Sequence, residues 1–115
     1  MKNLKTIYDG GVSLAFGTDS GAVTGRIPGF SEHRELEDLV AAGLTPLQAI
    51  TVATGQTGRL IHTLNSHLSV GLIQSDYSAD LIILSADPLM DIRNTRRIAA
   101  VYHHGALVPN TPPQN

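Results

Sequence analysis

Apolar residues at the start of the chain follow two different spacings. Leu4, Ile7 and Tyr8 recur at intervals of three and four, as on one face of a helix, and a glycine pair follows as a stop signal. Residues 11–16 then alternate loosely and become apolar before the glycine-flanked loop at 17–21, which predicts a buried strand ending in a loop. The chain is therefore expected to begin with a passage from helix to strand.

Two further helices are predicted in the middle of the chain. Residues 20–31 are rich in glycine and proline and predict a long irregular loop, after which Ser31 is a candidate N-cap and Gly43 a helix stop. The sequence TPLQ at 45–48 combines a capping threonine, a proline at the first helical position and a glutamine three residues after the cap. It predicts a second helix, and a short third turn over 59–61 is expected once two glycines have interrupted that helix.

The second half of the chain has the pattern of a β-structure. Four short apolar runs predict strands, at 70–73, 79–85, 98–102 and 106–108. His104-Gly105 separates the last two runs and is typical of a hairpin turn. Residues 109–115 are polar and rich in proline, which predicts a disordered tail.

Composition and charge narrow the function classes. The chain has 115 residues, 42% hydrophobic and 16% charged, which favours a folded protein with one modest core. A formal net charge of −2 without a long basic run argues against nucleic acid as a partner. There is no cysteine, so any metal site must use His, Asp or Glu. No segment has the pattern of a signal peptide or a membrane span, so we expect a cytoplasmic protein without membrane contact.

Asp19 is the strongest candidate for chemistry. An aspartate directly after a buried strand points its carboxylate toward the edge where α/β enzymes keep their sites. Aspartate beside glycine and serine is also common in turns, and the physics of this loop alone favours that reading. The residue pattern by itself leaves both interpretations open.

Four stretches of the sequence occur in a distinctive order. They are AFGTDSG at 15–21, HRELE at 33–37, AGLTP at 42–46 and ADLIILSADP at 79–88. Together they resemble the amidohydrolase superfamily, most closely its imidazolonepropionase-like and peptidase-like branch. There a GTD stretch ends the eighth strand of a (β/α)8 barrel, and an ADLIIL-type strand belongs to a small β-sandwich. The order and spacing of the stretches carry the resemblance, since none is specific alone.

The resemblance implies a catalytic role for Asp19. This residue matches the strand-eight aspartate, a metal ligand that also takes the proton from the attacking water and passes it to the leaving group. It further implies a divalent metal, with zinc first and iron or manganese as alternatives, that polarises the scissile carbonyl. The expected reaction is hydrolysis of a C–N bond in a small amide or cyclic amide substrate.

The resemblance also implies that most of the metal site lies outside this sequence. The family's HxH pair, bridging lysine and two further histidines belong to strands one, four, five and six, and a (β/α)8 barrel takes about 250 residues. We therefore expect a C-terminal fragment of the α/β class, with the end of the barrel at 1–66, part of the β-sandwich at 67–108 and the tail at 109–115. The isolated chain is expected to be inactive and to self-associate through the exposed edge of its first strand.

Other polar residues are weaker candidates. Arg26 in the long loop and His33 at a helix start are possible substrate contacts, although surface roles are the simpler reading for both. His62 and His67 are five residues apart, which fits no helical metal pair. His103-His104 would point to opposite faces of a strand, so these two are predicted not to bind one metal together and are read as exposed turn residues.

A second function class remains open. The chain could be a binding or assembly module that keeps the terminal part of such an enzyme without its chemistry, because fold does not dictate function. An HxH-bearing segment in the same gene or in a partner chain would distinguish the enzyme from the module.

Overall fold

The computed structural model describes residues 2–109, and its architecture is α/β with one small antiparallel sheet. The helices are α1 (Lys2–Asp9), α2 (Ser31–Ala41), α3 (Pro46–Thr51), a π-helix (Val52–Gln56), α4 (Thr57–Leu64) and a 3-10 helix (Ile92–Arg96). The strands are β1 (Leu81–Leu84), β2 (Ile98–His103) and β3 (Ala106–Leu107). The predicted tail falls outside the described residues from position 110 onward.

The predicted first strand is present only as an unpaired stretch, which corrects the expectation of a buried strand. Burial alternates along it, with Leu14 and Phe16 half-buried and Ser13, Ala15 and Gly17 exposed. Residues 13–17, hereafter the open segment, form no backbone–backbone hydrogen bond with the described part of the chain. A strand needs a neighbouring backbone with free N–H and C=O groups, and only side chains reach this one.

Side chains of the long helical stretch hold the inner edge of the open segment. The Leu14 amide donates to Gln56 Oε1 at 3.3 Å, and the Phe16 amide donates to Thr57 Oγ1 at 2.8 Å. Since the two amides are two residues apart, they point to the same side, as in a strand. The amide of Ala15, the exposed residue between them, has no partner among residues 2–109.

Helix α2 ends as predicted but begins differently. At its C-terminus the Leu44 amide donates to the Leu39 carbonyl at 3.2 Å and Gly43, at φ +109°, donates to the Val40 carbonyl at 2.9 Å, which is a Schellman motif. At its N-terminus Ser31 is already helical and caps nothing, so the predicted N-cap is wrong. The Glu32 carboxylate is turned back toward the preceding loop and accepts the Gly29 amide instead, at 2.7 Å.

The capping box at the start of α3 is confirmed. The Gln48 amide donates to Thr45 Oγ1 at 3.2 Å, and the Thr45 amide donates to Gln48 Oε1 at 2.9 Å. Contrary to prediction, the following glycines do not interrupt the helix, which runs without a break from Pro46 to Leu64 through the π-helical segment.

Those glycines allow another backbone to cross the helix. A Cβ at Gly58 would lie 2.1 Å from the Val70 carbonyl oxygen, and one at Gly71 would lie 2.4 Å from the Thr54 carbonyl oxygen. Residues 70–73, predicted as a strand, are this crossing and belong to no strand. Their path is set by contact with a helix, which cannot supply the backbone pairing that a strand needs.

The core lies between the helices. Leu39, Leu44, Ala49 and Val52 are buried there, and apolar residues of α1 and the open segment pack against them. The 3-10 helix contacts both α2 and strand β1. Its Thr95 is buried, and its Arg96 forms an ion pair with Glu37 of α2 at 2.8 Å.

The sheet has the order β1-β2-β3, and every pairing in it is antiparallel. Leu81 faces Tyr102, and a bulge between Ile83 and Leu84 shifts the register toward the end of β1. The predicted hairpin is confirmed, with His104 and Gly105 at φ +49° and +79° in a two-residue turn.

Among the described residues no helix is long and apolar enough to cross a membrane.

Candidate active site

Asp19 follows the open segment in an uncommon backbone conformation. Its φ of 51° lies in the left-handed region, which aspartate tolerates better than most residues. Its carbonyl accepts the amides of Ala22 and Val23 at 3.1 and 3.3 Å, so a tight turn follows immediately. The side chain is exposed, and within residues 2–109 its carboxylate has no hydrogen bond or ion pair. The turn therefore presents a free carboxylate.

A hydrogen-bond network centred on Glu32 holds the residues on either side of Asp19. Thr18, which is buried, donates its hydroxyl to Glu32 Oε1 at 3.1 Å, and the Ser20 hydroxyl donates to the same oxygen. The Ser20 hydrogen bond is the main reason why the pKa of Glu32 lies below its ordinary value of 4.5. The carboxylate therefore stays ionised and ties the Asp19 turn to α2.

Arg26 stabilises the same turn from the other side. Its Nη1 donates to the Thr18 carbonyl, and its own carbonyl accepts the Gly21 amide at 3.1 Å. The arginine also lines a shallow depression together with Phe30 and Arg34. The structure thus gives Arg26 a loop-holding role, and substrate contact remains a prediction.

His33 joins α2 to the 3-10 helix. Its Nδ1 lies 3.0 Å from Thr95 Oγ1, and that hydroxyl donates its proton to the Ile92 carbonyl at 2.9 Å. Nδ1 must therefore be the donor, so the proton of the neutral imidazole is on Nδ1. Burial, followed by the charge of Arg96, lowers the pKa of His33 below 6.5. His33 has a structural partner, and its predicted role in substrate binding remains a prediction.

A cluster that sequence reasoning missed lies at the β2–β3 turn. His103 Nδ1 is 2.6 Å from Asp80 Oδ1, and His104 Nδ1 is 3.8 Å from Asp80 Oδ2. The prediction that the two histidines face apart is wrong, because His104 lies in the turn at positive φ and does not continue the strand. Because His104-Gly105 is a turn signal, the alternation of a strand ends at His103 and does not apply to His104.

Hydrogen bonds fix the Asp80 carboxylate in that cluster. The Ser78 hydroxyl and the His104 amide donate to its two oxygens, the latter at 3.0 Å. These bonds, with Ser78 as the largest cause, lower the pKa of Asp80 to about 2.

The other two histidines lie outside this cluster. His62 donates Nδ1 to the Leu68 carbonyl at 2.9 Å near the end of α4, and His67 is exposed.

Asp19 suits one position of a metal site but not a complete one. A free carboxylate held by a rigid turn has the donor chemistry that divalent cations use in proteins. Within residues 2–109, however, the one group of three or more potential ligands is Asp80, His103 and His104. Further ligands at Asp19 would have to come from outside the described residues.

Comparisons with known proteins identify the class. No family model matches the chain. A curated relative, the ochratoxinase of Aspergillus niger, is 36% identical over 101 residues, which cover 81% of this chain and 18% of that protein. The crystal structure of A. niger ochratoxinase matches with a TM-score of 0.76 and 30% identity, over 92% of this chain and 24% of the other.

A second solved structure agrees. A Xaa-Pro dipeptidase with methionine bound in its active site has a TM-score of 0.75 and 29% identity, over 92% of this chain and 24% of that one. Structural neighbours of this chain are enzymes of the amidohydrolase family, and the predicted resemblance to that superfamily is confirmed. The chain spans about a fifth of the length of the curated relative that it matches.

Proposed function

We propose that this chain is the C-terminal part of a metal-dependent amidohydrolase that hydrolyses an amide or cyclic amide C–N bond, with Asp19 as metal ligand and general base. The observation that carries the proposal is the free Asp19 carboxylate on a strained, tightly supported turn. Strained backbone at a non-glycine residue costs stability and tends to be found at functional sites.

The open segment supports the barrel part of the proposal. It has the period-two burial of a strand, and its inner face packs on the helices as a barrel strand packs on its outer ring. The backbone groups of its outer edge have no partner within residues 2–109 and would pair with a flanking strand supplied from outside them. Asp19 would then lie at the carboxyl end of a barrel strand, where such enzymes have their active sites.

The sheet supports the sandwich part. Strand β1 contains four consecutive apolar residues, of which Ile82 and Ile83 are exposed although their side chains point to opposite faces. A three-stranded sheet with apolar groups exposed on both faces needs further cover, which additional strands of a composite sandwich would provide.

The residues of this chain would transfer a proton and hold the proton-transferring side chain in position. Asp19 would accept a proton from the water that attacks the carbonyl and return it to the leaving nitrogen. Its approach to that water is fixed by the Glu32 network and by Arg26, which hold the residues on both sides of it. A bound divalent metal would supply polarisation of the carbonyl and zinc is the first choice.

A chimeric enzyme tests the proposal. The segment of A. niger ochratoxinase that aligns with this chain is replaced by this chain, and Asp19→Asn is compared with Asp76→Asn. Asp76 is a matched control, since it is also exposed and also has a positive φ, of 68°. We expect Asp19→Asn to lower kcat by about 10³-fold or more and Asp76→Asn to leave it unchanged, whereas the isolated chain turns over nothing.

Two results would contradict the proposal. One is equal activity of the Asp19→Asn and parent chimeras at equal metal content. The other is a parent chimera that is folded and metal-loaded but inactive, since the residues of this chain would then not support the chemistry. The second result would favour a binding or assembly role.

A further inference from the structure

We propose that Asp80, His103 and His104 form a second metal site, separate from Asp19, that binds a divalent transition ion of the zinc type on the β2–β3 hairpin. The three residues each offer one ligand atom, and these atoms lie within 4.8 Å of one another. Two imidazoles and a carboxylate are a donor set that suits Zn²⁺ and also Cu²⁺ or Ni²⁺.

The geometry of the hairpin brings the ligands together. His103 is the last residue of β2, and Asp80 directly precedes β1 at the same end of the sheet, beside the Leu81–Tyr102 pair. His104 follows in the turn at φ +49°, which directs its ring back toward the neighbouring strand. As a result, the two rings lie with their centroids 4.1 Å apart.

The backbone around the ligands is already fixed. The Gly105 amide donates to the Ala79 carbonyl at 3.0 Å, so the turn is bonded to the residue before Asp80. Ser78 and the His104 amide orient the carboxylate, as outer hydrogen-bond partners do in metal sites. Little chain entropy would therefore be lost when an ion binds.

The remaining adjustment is small. Tetrahedral zinc with bonds of about 2.1 Å keeps its ligand atoms about 3.4 Å apart. The three ligand atoms already lie within 4.8 Å of one another, and because all three residues are exposed, small side-chain rotations would bring the atoms to this spacing. The ion would replace the proton shared by His103 and Asp80, and water would complete its coordination.

Calorimetric titration of the whole chain with Zn²⁺ tests the site. All proteins carry Asp19→Asn, so that the candidate active site does not compete. We expect one zinc per chain, at least about tenfold weaker binding in His103→Gln and in His104→Asn, and unchanged binding in His67→Gln. Asn suits the positive φ at position 104, so the turn is retained.

Nuclear magnetic resonance of the same proteins identifies the ligands. Zinc should shift the imidazole signals of His103 and His104 and leave those of His62 and His67 in place. The proposal fails if the parent binds no zinc, or if a folded His103→Gln/His104→Asn double variant binds it as tightly as the parent. In either case the cluster is only an ion pair of the hairpin.

Discussion

The open segment and strand β2 are both short, largely apolar runs, but their backbones differ in hydrogen bonding. Strand β2 is hydrogen-bonded to β1 on one side and to β3 on the other. The open segment is held by two side chains on its inner edge and by nothing on its outer edge within residues 2–109. One region satisfies its own hydrogen bonds, and the other leaves them for a partner.

The polar groups beside the two regions differ in the same way. At the end of β2 three metal-ligating side chains meet because both strands of the pair are present. At the end of the open segment one carboxylate stands free. A paired sheet can thus assemble a site from its own residues, whereas the barrel strand proposed here contributes a single ligand.

The largest expected effect concerns the crossing that links the two regions. Gly58→Ala places a Cβ against the Val70 carbonyl, a backbone group that cannot move aside, and should lower the free energy of unfolding by about 3 kcal/mol. Gly17→Ala in the open segment, where nothing lies within 4 Å, is the matched control and should be neutral. Urea denaturation measures both. Equal stability of the two variants would show that the crossing is loose.

Self-association is the next test of the contrast. We expect the chain to associate through the open segment, so Ala15→Lys should raise the dissociation constant about tenfold by placing a charge at the unpaired edge. Ala99→Lys makes the same substitution at an exposed alanine of the paired strand β2 and should leave the dissociation constant unchanged. Sedimentation velocity over a concentration series distinguishes them. A monomeric parent chain, or equal shifts in both variants, would contradict the expectation.

A smaller effect is expected in the network beneath Asp19. Glu32→Gln removes a charged acceptor of three hydrogen bonds and should cost about 1 kcal/mol of stability. Glu35→Gln, one turn along the same helix, is the control. Thermal unfolding at pH 7 compares them, and faster exchange of the Gly29 amide in Glu32→Gln alone would localise the loss. If the two variants behave alike, the network does not hold the turn.

The smallest effect is a pH dependence from His33. Because its pKa is below 6.5 in the folded protein, the unfolded chain binds a proton more readily as the pH falls. The contribution of His33 to the free energy of unfolding is fully present above pH 6.5 and is lost as the pH drops below that value. His33→Asn should flatten the decline between pH 7 and 5, measured by urea denaturation, and His67→Asn should not. An unchanged slope in His33→Asn would mean that another group titrates.

Local patterns predicted two helix ends well, but not the continuity of the helix through Gly55 and Gly58. The capping box at Thr45 and the glycine stop at Gly43 act through residues within four positions, so the sequence carries all the information they need. The strands β1 and β2 and the turn at His104-Gly105 were likewise readable from apolar runs and turn chemistry. The failure at Ser31 has a local cause too, since the competing acceptor, Glu32, is the next residue.

The candidate site was predicted only in its central residue. Asp19 could be proposed from its place after an apolar run and from a family resemblance. The Glu32 network was not predictable, because it joins residues 12 and 14 positions apart through a loop of irregular path. The role of Arg26 in holding the Thr18 carbonyl escaped prediction for the same reason.

The sequence by itself determined the capping box at Thr45, the helix stop at Gly43, the strands β1 and β2 with the turn between β2 and β3, and that Asp19 lies in a loop between two glycines. Only the tertiary structure decided that residues 70–73 cross a helix at Gly58, that the open segment stays unpaired, and that Asp80 meets His103 and His104. The physical reason is the sequence separation of the groups that interact. Capping and turns depend on neighbours in the chain, whereas strand pairing and ligand clusters depend on which distant backbone is close enough to bond.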